Sequence, residues 1–221
     1  MKIHFLLIPN NTMADNYLEN KFEELRNRPA AKKTTASLST LLRKNRSYRG
    51  FGKNCVVTEA QLRRIVEVCT KIPSGRNQQA LRFKLVTRET GAEKMQGLYK
   101  LGGALPELHL PFPGTEPEAF IIICSTKEPD RWVNMDIGIA AQSMLLKATE
   151  MGLGGICIGA FNPAAVTEAF ALPFAPQLVV AIGKPAEKIE LVPVRDGESL
   201  KYYRENGIHY VPKIVVDDLI L

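Results

Sequence analysis

The stretch from Asp136 to Met151 constrains the fold more than any other part of the chain, because it is apolar on nearly every side. Its spacing predicts a helix, and Gly152 stands where a helix C-cap is expected. A helix of this length without a polar face is buried in the centre of a soluble protein or at a subunit interface. The continuous apolar run from Ala119 to Ser125 predicts a strand that is buried on both faces.

Helices and strands alternate along the rest of the chain, which predicts one domain of mixed α/β or α+β architecture. Further helices are predicted from Asn16 to Arg28, from Ser37 or Ser39 onwards, after the capping box of Thr58 and Gln61, and from the N-cap Asn162 onwards. Further strands are predicted at Arg82–Thr87, Ile156–Phe161 and Leu178–Ile182. Residues 1–14 are expected to form an irregular arm, residues 102–117 a long loop or lid, and the part after Pro185 a charged tail without regular structure.

The composition argues against several classes of protein. The 221 residues carry 29 lysines and arginines against 23 aspartates and glutamates, but this positive charge is scattered rather than gathered into a nucleic-acid patch. No segment has the length of a membrane-spanning helix, and the apolar start of the chain lacks a secretory cleavage site. The four cysteines lack zinc-site spacing, so we expect no metal site and predict buried free thiols in a cytoplasmic protein.

A basic segment, Asn45-Arg46-Ser47-Tyr48-Arg49, places two cations and a hydroxyl within four residues. If the segment is extended, Ser47 and Arg49 lie on the same side of it. The planar guanidinium of arginine suits phosphate and carbonyl oxygens, because it donates several hydrogen bonds and keeps its charge. The segment is therefore either a solvated basic helix end or part of an anion site.

The loop Pro73-Ser74-Gly75-Arg76-Asn77-Gln78-Gln79 follows a helix end and is rich in amides. Asn77 and Gln79 each carry a donor and an acceptor, which suits the mixed edge of a pyrimidine-like ring. Gly75 permits a backbone that approaches a ligand closely. Taken alone, the loop fits an ordinary helix-terminating turn better than a binding loop, but both segments together favour a socket for a phosphorylated flavin.

Two later segments bear on the same question. The glycine-rich run from Gly152 to Ala160 lacks the spacing of a phosphate loop and suits a strand that a ligand or helix approaches closely. Cys157 in this run has no neighbouring histidine, which argues against cysteine catalysis. Lys213 is part of a charged tail, or it closes the phosphate end of a site from the far end of the chain.

Taken in order, these segments resemble the nitroreductase family of FMN-dependent oxidoreductases over roughly residues 38–221. The likeness is carried by the segments already described together with two more. Those two are Val179–Gly183 with Lys184-Pro185, and the closing Val211-Pro212-Lys213. The resemblance implies an α+β sandwich with a central, mostly antiparallel sheet flanked by helices. It also implies residues 1–37 as an N-terminal arm or helix, and residues 38–221 as the FMN-binding domain with a dimer-wrapping tail.

The same resemblance implies a homodimer with FMN at the subunit interface, and it assigns roles to ten residues. NADH or NADPH would be the electron donor, and a nitroaromatic or quinone an acceptor, with the chemistry carried by FMN rather than by a side chain. Arg46, Ser47 and Arg49 are expected to contact the phosphate, ribityl chain and pyrimidine edge, and Lys213 is expected to bind the phosphate. Ser74, Asn77 and Gln79 would lie along the isoalloxazine. The backbone amides of Ile158, Gly159 and Ala160 would lie near N5.

This chain departs from the family pattern at a few positions. The family usually has an arginine where this chain has Asn45, and often a second basic residue where it has Ile214. Ala80-Leu81 stands where the family often has Pro-Trp. Two alternatives therefore stay open. One is a non-catalytic flavin-binding or dimeric interaction protein, and the other is a different chemistry on the same scaffold, such as flavin destruction, dehalogenation or azoline oxidation.

Overall fold

A computed structural model describes residues 36–221 and four residues of an earlier helix, Tyr17, Asn20, Lys21 and Glu23. Those four are helical, and the rest of the helix predicted from Asn16 to Arg28 lies outside the described residues. The arm predicted for residues 1–14 also lies outside them. From Ser37 to Leu221 the chain forms one compact unit.

Five strands of this unit form an antiparallel sheet. They are β1 (Phe51–Gly52), β2 (Leu81–Val86), β3 (Ala119–Ser125), β4 (Gly154–Ile158) and β5 (Ala175–Pro185). The longest strand, β5, pairs with β1, β3 and β4, and β2 pairs with the other side of β3. The prediction of a mostly antiparallel sheet within an α+β fold is confirmed.

Four α-helices are present in residues 36–221, and their ends follow local sequence signals. They are α1 (Leu38–Lys44), α2 (Glu59–Val66), α3 (Arg131–Glu150) and α4 (Pro163–Phe170). The side chains of Ser37 and Asn162 accept hydrogen bonds from the first turns of α1 and α4, and Thr58 forms the predicted capping box with Gln61. A short 3-10 helix, Pro106–Leu108, interrupts the predicted loop at 102–117.

The core lies on both faces of the sheet because the side chains of β3 alternate. Phe120 and Ile122 pack on one face in a cluster that includes Phe170 of α4. Ile121 and Ile123 pack on the other in a cluster that includes Met144 of α3. All seven residues of β3 are buried, as the continuous apolar run predicts. Among the described residues no helix is both long and apolar enough to cross a membrane.

Two elements differ from their predicted limits. Helix α3 begins five residues before Asp136, because Asp130 caps its first turn through Val133. Its surface also includes Met135, which is 49% exposed, so the helix is not buried on every side. Strand β4 starts at Gly154 and ends at Ile158, so the prediction that it continued to Phe161 is wrong.

The prediction of an irregular tail after Pro185 is also wrong, because the tail forms a second, three-stranded sheet. Its strands are β6 (Lys188–Val194), β7 (Tyr203–Glu205) and β8 (Ile208–Ile214). Strand β8 is central, parallel to β6 and antiparallel to β7. The missed signal is Asn206-Gly207, whose positive φ values of 50° and 76° make the tight turn that joins β7 to β8.

Candidate functional site

A cavity of about 450 Å³ brings together residues from six separate parts of the chain. Four of the predicted site residues line it: Arg46, Ser47, Arg49 and Lys213. These come from the two ends of the folded unit, so the cavity exists only once the tail has folded back onto the body. The other lining residues are Leu42, Asn45, Gln142, Leu145, Cys157, Ile189, Tyr202, His209 and Val211.

The basic segment reaches this cavity because it docks on β4. Helix α1 ends at Lys44 with Asn45 as its C-cap. The chain then runs beside Gly155, which forms a parallel bridge with Ser47 and accepts a hydrogen bond from the Tyr48 amide at 3.2 Å. A Cβ on Gly155 would lie 2.3 Å from the carbonyl oxygen of Ala181. Glycine at this position is therefore needed for close backbone packing.

Arg49 is held at the cavity wall from several sides. Its Nη1 donates to the Ser47 carbonyl at 3.0 Å and lies 3.4 Å from Nε2 of His209. Its guanidinium carbon lies 4.9 Å from the centre of the Tyr202 ring, within the range of a cation–π interaction. Its backbone amide donates to the carboxylate of Glu187.

Arg46 directly follows the C-cap of α1 and is half-buried. Its Nη2 donates to the Leu42 carbonyl, and burial lowers the pKa of its guanidinium from the ordinary value. Among the described residues nothing accepts a hydrogen bond from the buried Nε of Arg46 or of Arg49. Both cations therefore retain donors that an anionic ligand can use.

The tail supplies residues that the sequence analysis did not select for the site. Tyr202, His209 and Ile189 line the cavity together with Gln142 of α3, and Tyr202 and His209 both contact Arg49 of the basic segment. Their contribution depends on the pairing of β8 with β6 and β7, a contact between distant parts of the chain. The sequence signal available was the Asn-Gly turn, because such a turn joins two strands and His209 lies just after it.

The amide-rich loop lines a second cavity, of about 420 Å³, on another part of the surface. Ser74, Asn77 and Gln79 all contribute to it. The Gln79 side chain donates to the Asn77 side chain at 3.0 Å, and both residues have positive φ values, 45° and 50°. The loop is fixed to α3 because the Gly75 amide donates to Oδ1 of buried Asp136 at 2.7 Å.

Helix α3 separates the two cavities. Asp136 and Ala140 of this helix line the second cavity, whereas Gln142 and Leu145 line the first. At about 100° per residue, Leu145 points about 180° away from Asp136 and lies about 13 Å further along the axis. A single chain therefore presents its basic cluster and its amide loop on opposite sides of one helix.

The three predicted backbone contacts lie at the end of β4. Ile158 is buried, whereas Gly159 and Ala160 are exposed, and a Cβ on Gly159 would meet nothing within 4 Å. The Ala160 carbonyl accepts a hydrogen bond from the Lys100 amide at 2.8 Å. Of the three, Ala160 lines a shallow surface pocket apart from both cavities.

The prediction of buried free thiols holds only in part. All four cysteines are free, but among them only Cys124 is buried, and Cys157 is exposed towards the first cavity. Although Cys157 is exposed, the surrounding protein removes part of the water around its thiol, and this desolvation raises the pKa of the thiol. Within the described part of the chain, no group of His, Cys, Asp or Glu side chains could hold a metal ion.

Arg204 does not replace the charge missing at Asn45 and Ile214. Its guanidinium is paired with the carboxylate of Glu187 and lies 5.6 Å from the centre of the Phe112 ring. It is not among the residues that line the first cavity. The cationic side chains of that cavity are therefore Arg46, Arg49 and Lys213.

Comparison with known proteins identifies the family. The model of the nitroreductase family matches residues 42–184, well over half of the chain. The chain belongs to the nitroreductase family, as the order of its motifs predicts.

Solved structures share the fold at low sequence identity. A nitroreductase family protein from Streptococcus pneumoniae TIGR4 is 19% identical with a TM-score of 0.59, over 84% of this chain and 99% of that one. A protein from Exiguobacterium sibiricum 255-15, solved in complex with FMN, is 18% identical with a TM-score of 0.56, over 70% and 90% of the two chains. An FMN-dependent nitroreductase from Clostridium difficile R20291 is 24% identical with a TM-score of 0.55, over 68% and 89%. At these identities the likeness concerns the fold.

Proposed function

We propose that this protein is an FMN-dependent oxidoreductase. It passes reducing equivalents from NADH or NADPH to an electron-poor acceptor such as a nitroaromatic or a quinone. The observation that carries the proposal is the convergence of Arg46, Ser47, Arg49 and Lys213 on one cavity. Membership of the nitroreductase family supports the same reaction class.

The residues of the first cavity fit the phosphate end of FMN. The cations Arg46 and Lys213 and the Ser47 hydroxyl suit a dianionic group, and the unpartnered Nε atom of Arg46 is a donor that such a group would satisfy. Lys213 is exposed at the cavity wall and adds a point charge.

We also propose that the complete site requires two copies of the chain. The amide loop and the basic cluster lie on opposite sides of α3, so a flavin that contacts both would contact them in different subunits. The exposed surface of α3 between the cavities carries Met135 and Ile139, which suit an apolar subunit contact. A homodimer with two equivalent sites follows from this arrangement.

Within this site the chain's own residues bind and orient. FMN, when bound, supplies the hydride chemistry. Arg49 would hold a positive charge next to the pyrimidine edge, where it would favour negative charge. Asn77 and Gln79 of the partner subunit would offer neutral donors and acceptors to the ring, and the amides near Gly159 would contact its N5 side. We place the reaction in the cytoplasm, which the four free cysteines support.

Purification and anaerobic reduction test this proposal. We expect protein incubated with FMN to be yellow, with an absorbance band at about 450 nm, and to bleach with NADH or NADPH until an acceptor is added. Protein that remains colourless would reject the flavin site. Yellow protein that neither nucleotide bleaches would favour a non-catalytic flavin-binding protein. Sedimentation of the FMN complex as a dimer is expected, and a monomeric complex would reject the shared site.

A further inference from the structure

His209 is an unusual residue for its position in the fold. It lies in the central strand of the tail sheet, faces the first cavity wall and is only 1% exposed. Among the described residues nothing pairs with its Nδ1 atom. An unpaired polar atom in the interior lowers the free energy of unfolding, so we expect His209 to have a function that offsets this cost.

The only close polar contact of the imidazole among the described residues is with Arg49. Its Nε2 lies 3.4 Å from Nη1 of Arg49, and both side chains contact Tyr202, whose ring centre is 5.0 Å from that of His209. Arginine can only donate, so Nε2 must be the acceptor. This assigns the proton of the neutral ring to Nδ1.

The surroundings of the ring favour this neutral state. Burial is the largest cause that lowers the pKa of His209, and the positive charges of Arg49 and Arg204 act in the same direction. The carboxylate of Glu187, which is paired with Arg204, acts in the opposite direction and raises that pKa.

We propose that His209 is a positioning residue: its neutral imidazole accepts a hydrogen bond from Arg49 and fixes that guanidinium over Tyr202, at the cavity wall. The consequence for the cofactor rests on the proposed function, because Arg49 is the cation assigned to the pyrimidine edge of the flavin. The arrangement also links the tail sheet to the basic segment of the body. His209 would thus act through Arg49 and would not itself contact the reacting atoms.

The first test needs no cofactor. Nitrogen-15 NMR of the apo protein reports which ring nitrogen of His209 is protonated. We expect the Nδ1–H form in the wild type and a change of that signal in Arg49→Ala. A wild-type ring protonated at Nε2, or a signal unaffected by Arg49→Ala, would overturn the proposal whether or not the protein binds FMN.

The second test uses two substitutions of similar size and shape. His209→Gln keeps an acceptor near the position of Nε2, whereas His209→Met places a methyl group there. We expect the apo forms to melt at similar temperatures. We expect FMN affinity to fall at least 10-fold in His209→Met and less than 3-fold in His209→Gln, with the flavin reduction potential shifted only in the former.

A double-mutant cycle completes the design. In the Arg49→Ala background, His209→Met should weaken FMN binding by less than 2-fold, because the residue it positions has gone. Equal losses in the Gln and Met variants, or a full additional loss in the Arg49→Ala background, would show that His209 does not act through Arg49. If the wild type itself failed to bind FMN, the proposed function would be wrong and the NMR result alone would decide the role of His209.

Discussion

The backbone amide of Gly75 donates a hydrogen bond of 2.7 Å to Oδ1 of Asp136, across the boundary between the amide-rich loop and helix α3. Asp136 is one of the few buried polar residues, and a Cβ on Gly75 would lie 3.0 Å from Cβ of Trp132. The loop therefore has both a specific anchor and close packing against the same helix. This contact fixes the positions of Asn77 and Gln79.

Replacement of Asp136 by alanine should release the loop. We expect the free energy of unfolding to fall by about 1–3 kcal/mol, because the partly buried Gly75 amide loses its acceptor. Asp136→Asn, which keeps an acceptor oxygen, should lose less. Urea denaturation measures both, with Asn134→Ala on an exposed position of α3 as the control. Equal stabilities of Asp136→Ala and Asn134→Ala would contradict the anchoring role.

Glu187 should be more important for stability than its neighbour Glu190. Its side chain is only 8% exposed, pairs with Arg204 and accepts the Arg49 amide. Glu187→Gln leaves the largely buried Arg204 without a counter-charge, so we expect a loss of about 3 kcal/mol in urea denaturation.

The matched control is Glu190→Gln, which breaks an exposed pair with Lys188. Such a pair contributes less than about 1 kcal/mol. If the two variants lost the same stability, the Glu187–Arg204 pair would not be the structural link that its burial indicates.

Much of the fold and part of the site could be predicted from local signals. Ser37, Thr58 and Asn162 cap helices through contacts within three residues, which the sequence displays directly. The basic segment and Lys213 were expected to share a site, and they line one cavity.

The remainder depends on contacts between distant segments. His209 meets Arg49 across 160 positions of sequence, and no periodicity in either segment indicates that pairing. The tail sheet was missed because β6 and β8 each contain a proline, Pro193 and Pro212, and a proline within an apolar run argues against a strand. The turn at Asn206-Gly207 was nonetheless a usable signal, since both residues adopt positive φ. The sequence does not indicate that α3 lies between the two cavities, which could be recognised only from the position of this helix in the folded protein.

Cys157 offers a direct probe of the first cavity. Because the pKa of its thiol is raised, we expect slow alkylation near neutral pH that accelerates as the pH rises and more thiolate forms. Bound FMN should slow the modification at least about 10-fold by covering the cavity, as peptide mapping would show. Buried Cys124, whose thiol has its pKa raised to about 11, is the internal reference. Modification of Cys157 at the same rate with and without FMN would place the cofactor elsewhere.

His209 should make stability depend on pH in a defined window. Burial and the neighbouring Arg49 and Arg204 lower its pKa from 6.5 to about 4. Between these values the unfolded chain binds more protons than the folded one, so the free energy of unfolding falls as the pH drops from 6.5 towards 4. The expected contribution is about 2–3 kcal/mol. Urea denaturation across this window should show a shallower dependence in His209→Gln, and identical slopes would contradict the assignment.

The central claim, that each flavin site combines two subunits, is tested most directly with a purified heterodimer. One subunit carries Arg49→Ala, and the other carries Asn77→Gly with Gln79→Gly, since glycine tolerates the positive φ of both positions. Each variant homodimer should bind FMN weakly at both sites. The heterodimer concentrates all three substitutions in one site and leaves the other intact, so we predict about one tightly bound FMN per dimer. A heterodimer that binds no more FMN than either homodimer would contradict the shared site.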